Sequence, residues 1–288
     1  MRAVSLLAPA FLALLACHGD LPEGGLPDFS IDFCPADGGI APPAPASGPS
    51  SGCALSGQPS GEVPLSQIAA RIGGTLVIPP GAAAGTPHPL VLVFHGAYQD
   101  DQNIRNRYGI EQAADGGAIF AYLDAAAGTW ALGQSVDLRH VDTVVQRVEE
   151  TYCVDQDRLF VAGFSAGGVF AHWVGCERSE TFRGLAVTAG TVVRFDTHCC
   201  TGTMSAILIH GMADEAISYG DGLQSRARLL AADACSTTGV AVDEHCLDFP
   251  GCASDEAVEW CGHPGGHDIP DWAGTEVWSF FERLAATP

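Results

Sequence analysis

From about residue 65 to the C-terminus, short apolar runs alternate with amphipathic stretches, and this alternation restricts the fold more than any other feature of the chain. The runs are Gly74–Ile78, Leu90–His95, Ala118–Leu123, Arg158–Gly163, Gly184–Ala189, Ala206–His210 and Ala257–Trp260. They are β-branched or apolar throughout and bounded by Gly, Pro or Asp, the pattern of strands buried on both faces. The clearest helix between them runs from about Val136 to Tyr152, with Val141, Val144, Val145, Val148 and Tyr152 along one stripe. A last helix places Val277, Phe280, Phe281 and Leu284 on one face. The alternation predicts an α/β domain whose mostly parallel central sheet carries helices on both faces. An apolar share of 47% in 288 residues is enough for such a core.

The charge is one-sided. Thirteen basic residues, all Arg, stand against 34 acidic ones, a net −21. Without a single Lys, the chain cannot form a Schiff base, a Ser–Lys dyad or a Walker-type phosphate loop. The strong negative charge argues against a nucleic-acid partner, because phosphate recognition needs basic patches.

Residues 1–16 form an export signal: Arg2 is followed by an apolar run from Ala3 to Ala16, too short to span a bilayer. The run closes with Leu14-Leu15-Ala16-Cys17, which resembles the lipobox of bacterial lipoproteins, where cleavage precedes a Cys that is then lipidated. The other reading is an ordinary secretory signal. Between Pro35 and Glu62, 22 of 28 residues are Gly, Pro, Ala or Ser. That composition predicts a tether over residues 17–64, which the lipobox resemblance implies is lipid-anchored at Cys17, leaving residues 65–288 as the folded domain. Cys34 and Cys53 either close a loop in the tether or pin it to the domain. Eleven Cys fit an oxidising compartment.

Three motifs carry chemistry, and each follows a strand. The first, Gly163-Phe164-Ser165-Ala166-Gly167-Gly168, lies between an apolar strand and a helical stretch, the setting of a nucleophile elbow. The second is Leu208-Ile209-His210-Gly211-Met212-Ala213-Asp214, in which a carboxylate follows a buried strand. Functional side chains collect at the carboxyl ends of parallel strands, so Asp214 is placed to orient a histidine; the competing role is loop capping. The third is Gly265-Gly266-His267, with His263 as the rival base. Cys261, His263 and His267 also suggest a metal site, but the cysteines of an exported chain pair as disulfides, so no metal or other cofactor is expected. The chain order Ser165, Asp214, His267 is that of the α/β-hydrolases. In that fold the loop after the strand Leu90–His95 supplies one oxyanion-hole N–H and the residue after the nucleophile the other, here Ala97 and Ala166. His95 reads as a structural brace.

The segments PLVLVFHGAYQD, ETYCVDQDRLFVAGFSAGGVFAHWVGC, ILIHGMADEAISY and GGHDIPDWAG resemble the polyhydroxybutyrate-depolymerase-like esterases, a group that includes carbohydrate esterase family 1 feruloyl and acetylxylan esterases. The resemblance covers about residues 72–288. It implies an α/β-hydrolase fold, with Ser165 as nucleophile, Asp214 as acid and His267 as base. It also implies a disulfide between Cys235 and Cys252. The chain departs from the family at Ala166, often Asn, and after the base, where Asp268-Ile269-Pro270 replaces Thr-Trp-Pro. Ala97 and Tyr98 also differ, and these positions line the site.

The expected function is a serine esterase that cleaves hydroxycinnamoyl or acetyl esters of plant polysaccharide, or hydroxyalkanoate oligomers, through an acyl-enzyme. Trp130 and Tyr98 are the candidate substrate contacts, Trp130 with a role in the core as its alternative. Two rival functions stand: a non-catalytic surface lipoprotein binding glycan or protein through a decayed hydrolase fold, and a serine peptidase or lipase of the same fold. A further disulfide, Cys153–Cys176, follows from geometry. A strand from Arg158 climbs about 20 Å to the Ser165 turn, and the following helix descends about 17 Å by Cys176. Both cysteines would then share one sheet edge. The partners of Cys34, Cys53, Cys199, Cys200, Cys246 and Cys261 stay open.

Overall fold

The computed structural model describes residues 43–132, 135–191, 203–254 and 256–285. Residues 1–16, where the export signal is expected, and Cys17, Cys34, Cys199 and Cys200 lie outside them. Ten strands among the described residues form one sheet: β1 (Gly61–Pro64), β2 (Gly74–Ile78), β3 (His88–Phe94), β4 (Ile119–Leu123), β5 (Val154–Phe164), β6 (Gly184–Thr188), β7 (Ser205–Gly211), β8 (Val240–Ala241), β9 (Cys246–Asp248) and β10 (Val258–His263). Their order is β1-β2-β4-β3-β5-β6-β7-β10-β9-β8. The six strands from β4 to β10 in that order pair in parallel. β1 and β2 at one end, and β9 and β8 at the other, pair antiparallel. The helices are α1 (Pro80–Ala83), α2 (Asp101–Tyr108), α3 (Ile110–Ala114), α4 (Ser135–Thr151), α5 (Ala166–Glu177), α6 (Tyr219–Ala232) and α7 (Ala273–Ala285).

Side chains alternate across each strand, so the apolar runs feed two cores. Leu90, Leu92 and Phe94 of β3 join one layer with Val141, Val144 and Val148 of α4 and Phe170 and Val174 of α5. Val91 and Val93 face the other layer, with Tyr108 of α2, Ile110 of α3 and Phe280 and Phe281 of α7. Phe281 stacks on Phe160 of β5, ring centroids 4.3 Å apart. Burying each such side chain contributes about 2–3 kcal/mol relative to exposure.

The chain leaves β3 for β4 on one side and returns to β5 on the other. This reversal puts the topological switch point at the carboxyl ends of β3 and β5, the place where parallel sheets of this kind bind ligands. The loop after β3 and the turn after β5 hold Ala97 and Ser165 respectively.

Two expectations are corrected. Part of the stretch read as tether is folded: Gly61–Pro64 is the edge strand β1, and Ser51–Ala54 forms a 3₁₀ turn against the end of α4. Ser50 is buried, donating from Oγ to Tyr152 O (2.9 Å) and accepting from Val154 N–H (3.0 Å). Small residues were the wrong guide here, because close backbone approach is what this strap requires.

The second correction is the disulfide Cys153–Cys176. Cys153 bonds to Cys53 instead, across a sequence separation of 100, and so pins the strap to the domain. Cys176 is also disulfide-bonded. The geometric argument failed because β5 begins at Val154 rather than Arg158 and breaks register there. Val154 pairs with His88 and Leu159 with Leu90, five residues of β5 spanning two of β3. Cys153 therefore sits beside the start of β3, where its carbonyl accepts from His88 N–H (3.1 Å) and Cys53 meets it. The expected Cys235–Cys252 bond is present. A third, Cys246–Cys261, ties the antiparallel strand β9 to β10.

Candidate active site

Ser165 occupies the tight turn between β5 and α5. Its φ of 55° and ψ of −121° fall in a region that a side chain adopts at a cost of about 1–3 kcal/mol. Packing holds it there. The Ser165 N–H donates to Thr188 O (2.9 Å), and its carbonyl accepts the first helical N–H, from Val169 (3.0 Å). Gly167 lets the turn press against β3: a Cβ there would lie 2.1 Å from Phe94 O. Ser165 thus stands at the N-terminus of α5, where partial positive charge favours a developing anion.

The other two residues reach it from separate loops. His267 Nε2 lies 2.8 Å from Ser165 Oγ, and His267 Nδ1 lies 2.8 Å from Asp214 Oδ2. A carboxylate only accepts, so Nδ1 carries the proton and Nε2 is free to accept from the serine hydroxyl. The Asp214 side chain is fully buried. Its Oδ1 accepts from Ala216 N–H (2.8 Å) and Ile217 N–H (2.9 Å), so both carboxylate oxygens have donors. The acid and base loops are zipped by Met212 N–H to His263 O (2.7 Å) and Ala213 N–H to Gly265 O (2.9 Å). The structure brings Ser165, Asp214 and His267 into one continuous hydrogen-bonded chain.

The rival base stands apart from this chain. His263 is buried, and burial first, then the neighbouring His210, lower its pKa. Its Nδ1 accepts from Gly265 N–H (3.2 Å) and its ring meets Trp272 edge-on.

Ala97 lies on the loop after β3 and Ala166 is the first residue of α5, next to Ser165; neither amide donates to an acceptor among the described residues. The β3 loop is braced from below. His95 Nδ1–H donates to Gly96 O (2.7 Å), and His95 Nε2 accepts from Ala125 N–H (3.0 Å). Trp130 belongs to this brace rather than to the site surface. It is buried, donates from Nε1 to His95 O (2.8 Å) and stacks on Phe170 with centroids 4.6 Å apart. A Trp after a strand end carries no sign of which way it faces; here a polar partner for its N–H lies inward. Tyr98 is the reverse case: the residue is 70% exposed, with φ of 59°, while its N–H is tied to Gly128 O (2.7 Å).

Sequence reasoning missed a set of groups around the base. The Phe164 ring lies 5.1 Å from that of His267, the Arg107 guanidinium sits over Phe164, and Arg107 pairs with Asp268 at 2.7 Å. These contacts cross between α2 and the base loop, and no spacing in the sequence announces them. Two groupings of carboxylate and Cys have metal-like spacing, Asp233-Cys235-Cys252 and Asp243-Cys246-Glu276. Their sulfurs are joined in disulfides and cannot act as thiolate ligands. Cys261 of the third candidate group is oxidised too.

Residues 121–202 match the prolyl oligopeptidase family model, a span that carries the elbow and stops before Asp214 and His267. "Probable feruloyl esterase C" of Aspergillus niger is 29% identical over 227 residues, covering 72% of this chain and 82% of that protein. Acetyl xylan esterase from Aspergillus awamori has the same fold at a TM-score of 0.63 and 12% identity, over 77% of this chain and 98% of its own. The chain is an α/β-hydrolase of the esterase type. A family 1 ferulic acid esterase from Anaeromyces mucronatus shares the fold as well, with a TM-score of 0.51 and 13% identity over 72% of this chain and 83% of its own.

Proposed function

We propose that this chain is a serine esterase acting through an acyl-enzyme on hydroxycinnamoyl or acetyl esters of plant polysaccharide, or on hydroxyalkanoate oligomers. One observation carries the reading: the paired 2.8 Å contacts that run Ser165–His267–Asp214 at the end of a strained elbow. Ser165 Oγ attacks the ester carbonyl while His267 Nε2 takes its proton, and Asp214 holds the imidazolium. The Ala97 and Ala166 N–H groups receive the tetrahedral oxyanion, each such donor contributing about 3 kcal/mol of barrier lowering. His267 then protonates the leaving alcohol, and water, deprotonated by the same ring, releases the acid. The exposed Tyr98 ring stands on the oxyanion loop, positioned to contact an aromatic acyl group. The relative named as a feruloyl esterase, and the esterase folds of the acetyl xylan and ferulic acid enzymes, support this choice of ester.

The match to the prolyl oligopeptidase family favours a peptidase as the second reading. One panel separates them: 4-nitrophenyl acetate and butyrate, methyl ferulate, acetylated xylan, hydroxybutyrate oligomers and a prolyl 4-nitroanilide, each with wild type and Ser165→Ala. Ester turnover lost in the variant supports the proposal; anilide turnover that exceeds every ester favours the peptidase. The three described disulfides fit an oxidising compartment. We further propose that Cys17 carries lipid and holds the domain at a membrane, which the mass of the mature N-terminus tests; an unmodified N-terminus beyond Cys17 means plain secretion.

A further inference from the structure

His210 is the last residue but one of β7, four residues before Asp214, and its side chain is buried. Its Nε2 lies 2.9 Å from Ile217 O and 3.4 Å from Asp214 Oδ2, the same oxygen that holds His267 Nδ1. A carbonyl only accepts, so His210 Nε2 carries the proton. That one N–H faces two acceptors: it closes the loop from Gly211 to Ile217 back onto β7, and it points positive charge at the carboxylate. The loop is thereby fixed at both of its working ends. The Ile217 N–H binds Asp214 Oδ1 while its C=O binds His210. The ring itself has little room to turn. Trp260 lies parallel to it, Tyr219 meets it edge-on, and a Cβ at Gly222 would sit 2.6 Å from its Nδ1.

We propose that His210 is a positioning residue for the acid: it sets the Asp214 carboxylate so that Oδ2 meets His267 Nδ1, and touches no substrate. The inference rests on the triad proposed above. It differs from a packing role in a way that can be measured, because a packing role needs the ring, whereas a positioning role needs the N–H.

The experiment compares His210→Gln, His210→Ala, Gly222→Ala, Asp214→Ala and the His210→Ala/Asp214→Ala double variant, each with kcat, KM and melting temperature on 4-nitrophenyl acetate. Gln reaches with an N–H to about the place of Nε2. The expected result is a kcat loss of about 30-fold for His210→Ala with KM within about twofold, as for a catalytic group misplaced by a fraction of an ångström. His210→Gln recovers most of that loss, although it does not restore the ring. Gly222→Ala, which leaves His210 in place and displaces its ring, lowers kcat by about fivefold, again with little change in KM. In the Asp214→Ala background, removing His210 lowers kcat by less than about threefold more, because coupled residues are not additive. Equal losses for the Gln and Ala variants, a multiplicative double variant, or wild-type kcat in His210→Ala each overturn the positioning role alone. Wild-type kcat in Asp214→Ala overturns the triad itself, and the role of His210 with it.

Discussion

Asp214→Asn is the perturbation whose outcome the structure specifies most closely. Asp214 Oδ1 accepts two backbone N–H groups, from Ala216 at 2.8 Å and Ile217 at 2.9 Å, in a side chain with no exposure. An asparagine has one oxygen and must place it there. Turned the other way, its NH₂ would face both donors and leave two buried N–H groups unpaired, at about 1–3 kcal/mol each. The amide nitrogen is thus forced into the Oδ2 position, against His267 Nδ1. It can only donate, so Nδ1 must become the acceptor and the proton moves to Nε2. A protonated Nε2 cannot take the Ser165 proton. The expected loss is about 10⁴-fold in kcat, as for the equivalent change in other triads, or about 5 kcal/mol of barrier. Steady-state kinetics on 4-nitrophenyl acetate reads kcat, and circular dichroism with a thermal melt confirms the fold. A kcat within about tenfold of wild type would refute the argument, since it would mean that the tautomer at His267 does not control the reaction.

His267→Ala should abolish turnover, whereas His263→Ala should lower kcat by less than about tenfold, since His263 lies outside the triad's hydrogen-bonded chain; the opposite ranking would reassign the base. The Cys53→Ser/Cys153→Ser double variant opens a bond spanning 100 residues. It should lose about 5 kcal/mol by loop entropy, or about 10–20 °C in Tm for a domain of this size, and a shift below about 3 °C would contradict the strap's role. His172 of α5 is buried, and burial, with Arg228 nearby, lowers its pKa from 6.5 to about 4. The unfolded chain therefore takes up this proton first as pH falls. The contribution to stability is full above pH 6.5 and lost between there and pH 4, amounting to about 3 kcal/mol. Urea melts at several pH values should show a shallower acid slope in His172→Gln than in wild type, and equal slopes would refute it.

The central sheet was legible because buried parallel strands must be apolar on both faces. Six of the seven apolar runs became its parallel strands, and Gly74–Ile78 became the antiparallel β2. Ser165, Asp214 and His267 were legible for a related reason: each lies just past a strand end, and a parallel sheet gathers those ends on one edge. Features set by tertiary contact were not. Gly61–Pro64 looks like spacer because an edge strand beside a Gly- and Pro-rich strap needs no apolar run. The two-residue β8 and three-residue β9 are too short for any period to show. Cys153 missed its partner because the irregular start of β5 changes the level at which that cysteine sits. His210 reads as one more strand-end histidine, since its contact with Asp214 arises only when the following loop folds back to Ile217.

The most direct test of the account is the identity of the nucleophile, read by mass spectrometry after brief reaction with a fluorophosphonate. The triad geometry predicts one adduct per chain, confined to the peptide that contains Ser165, absent from Ser165→Ala and greatly slowed in His267→Ala. An adduct on another residue, or undiminished labelling of Ser165→Ala, would contradict it.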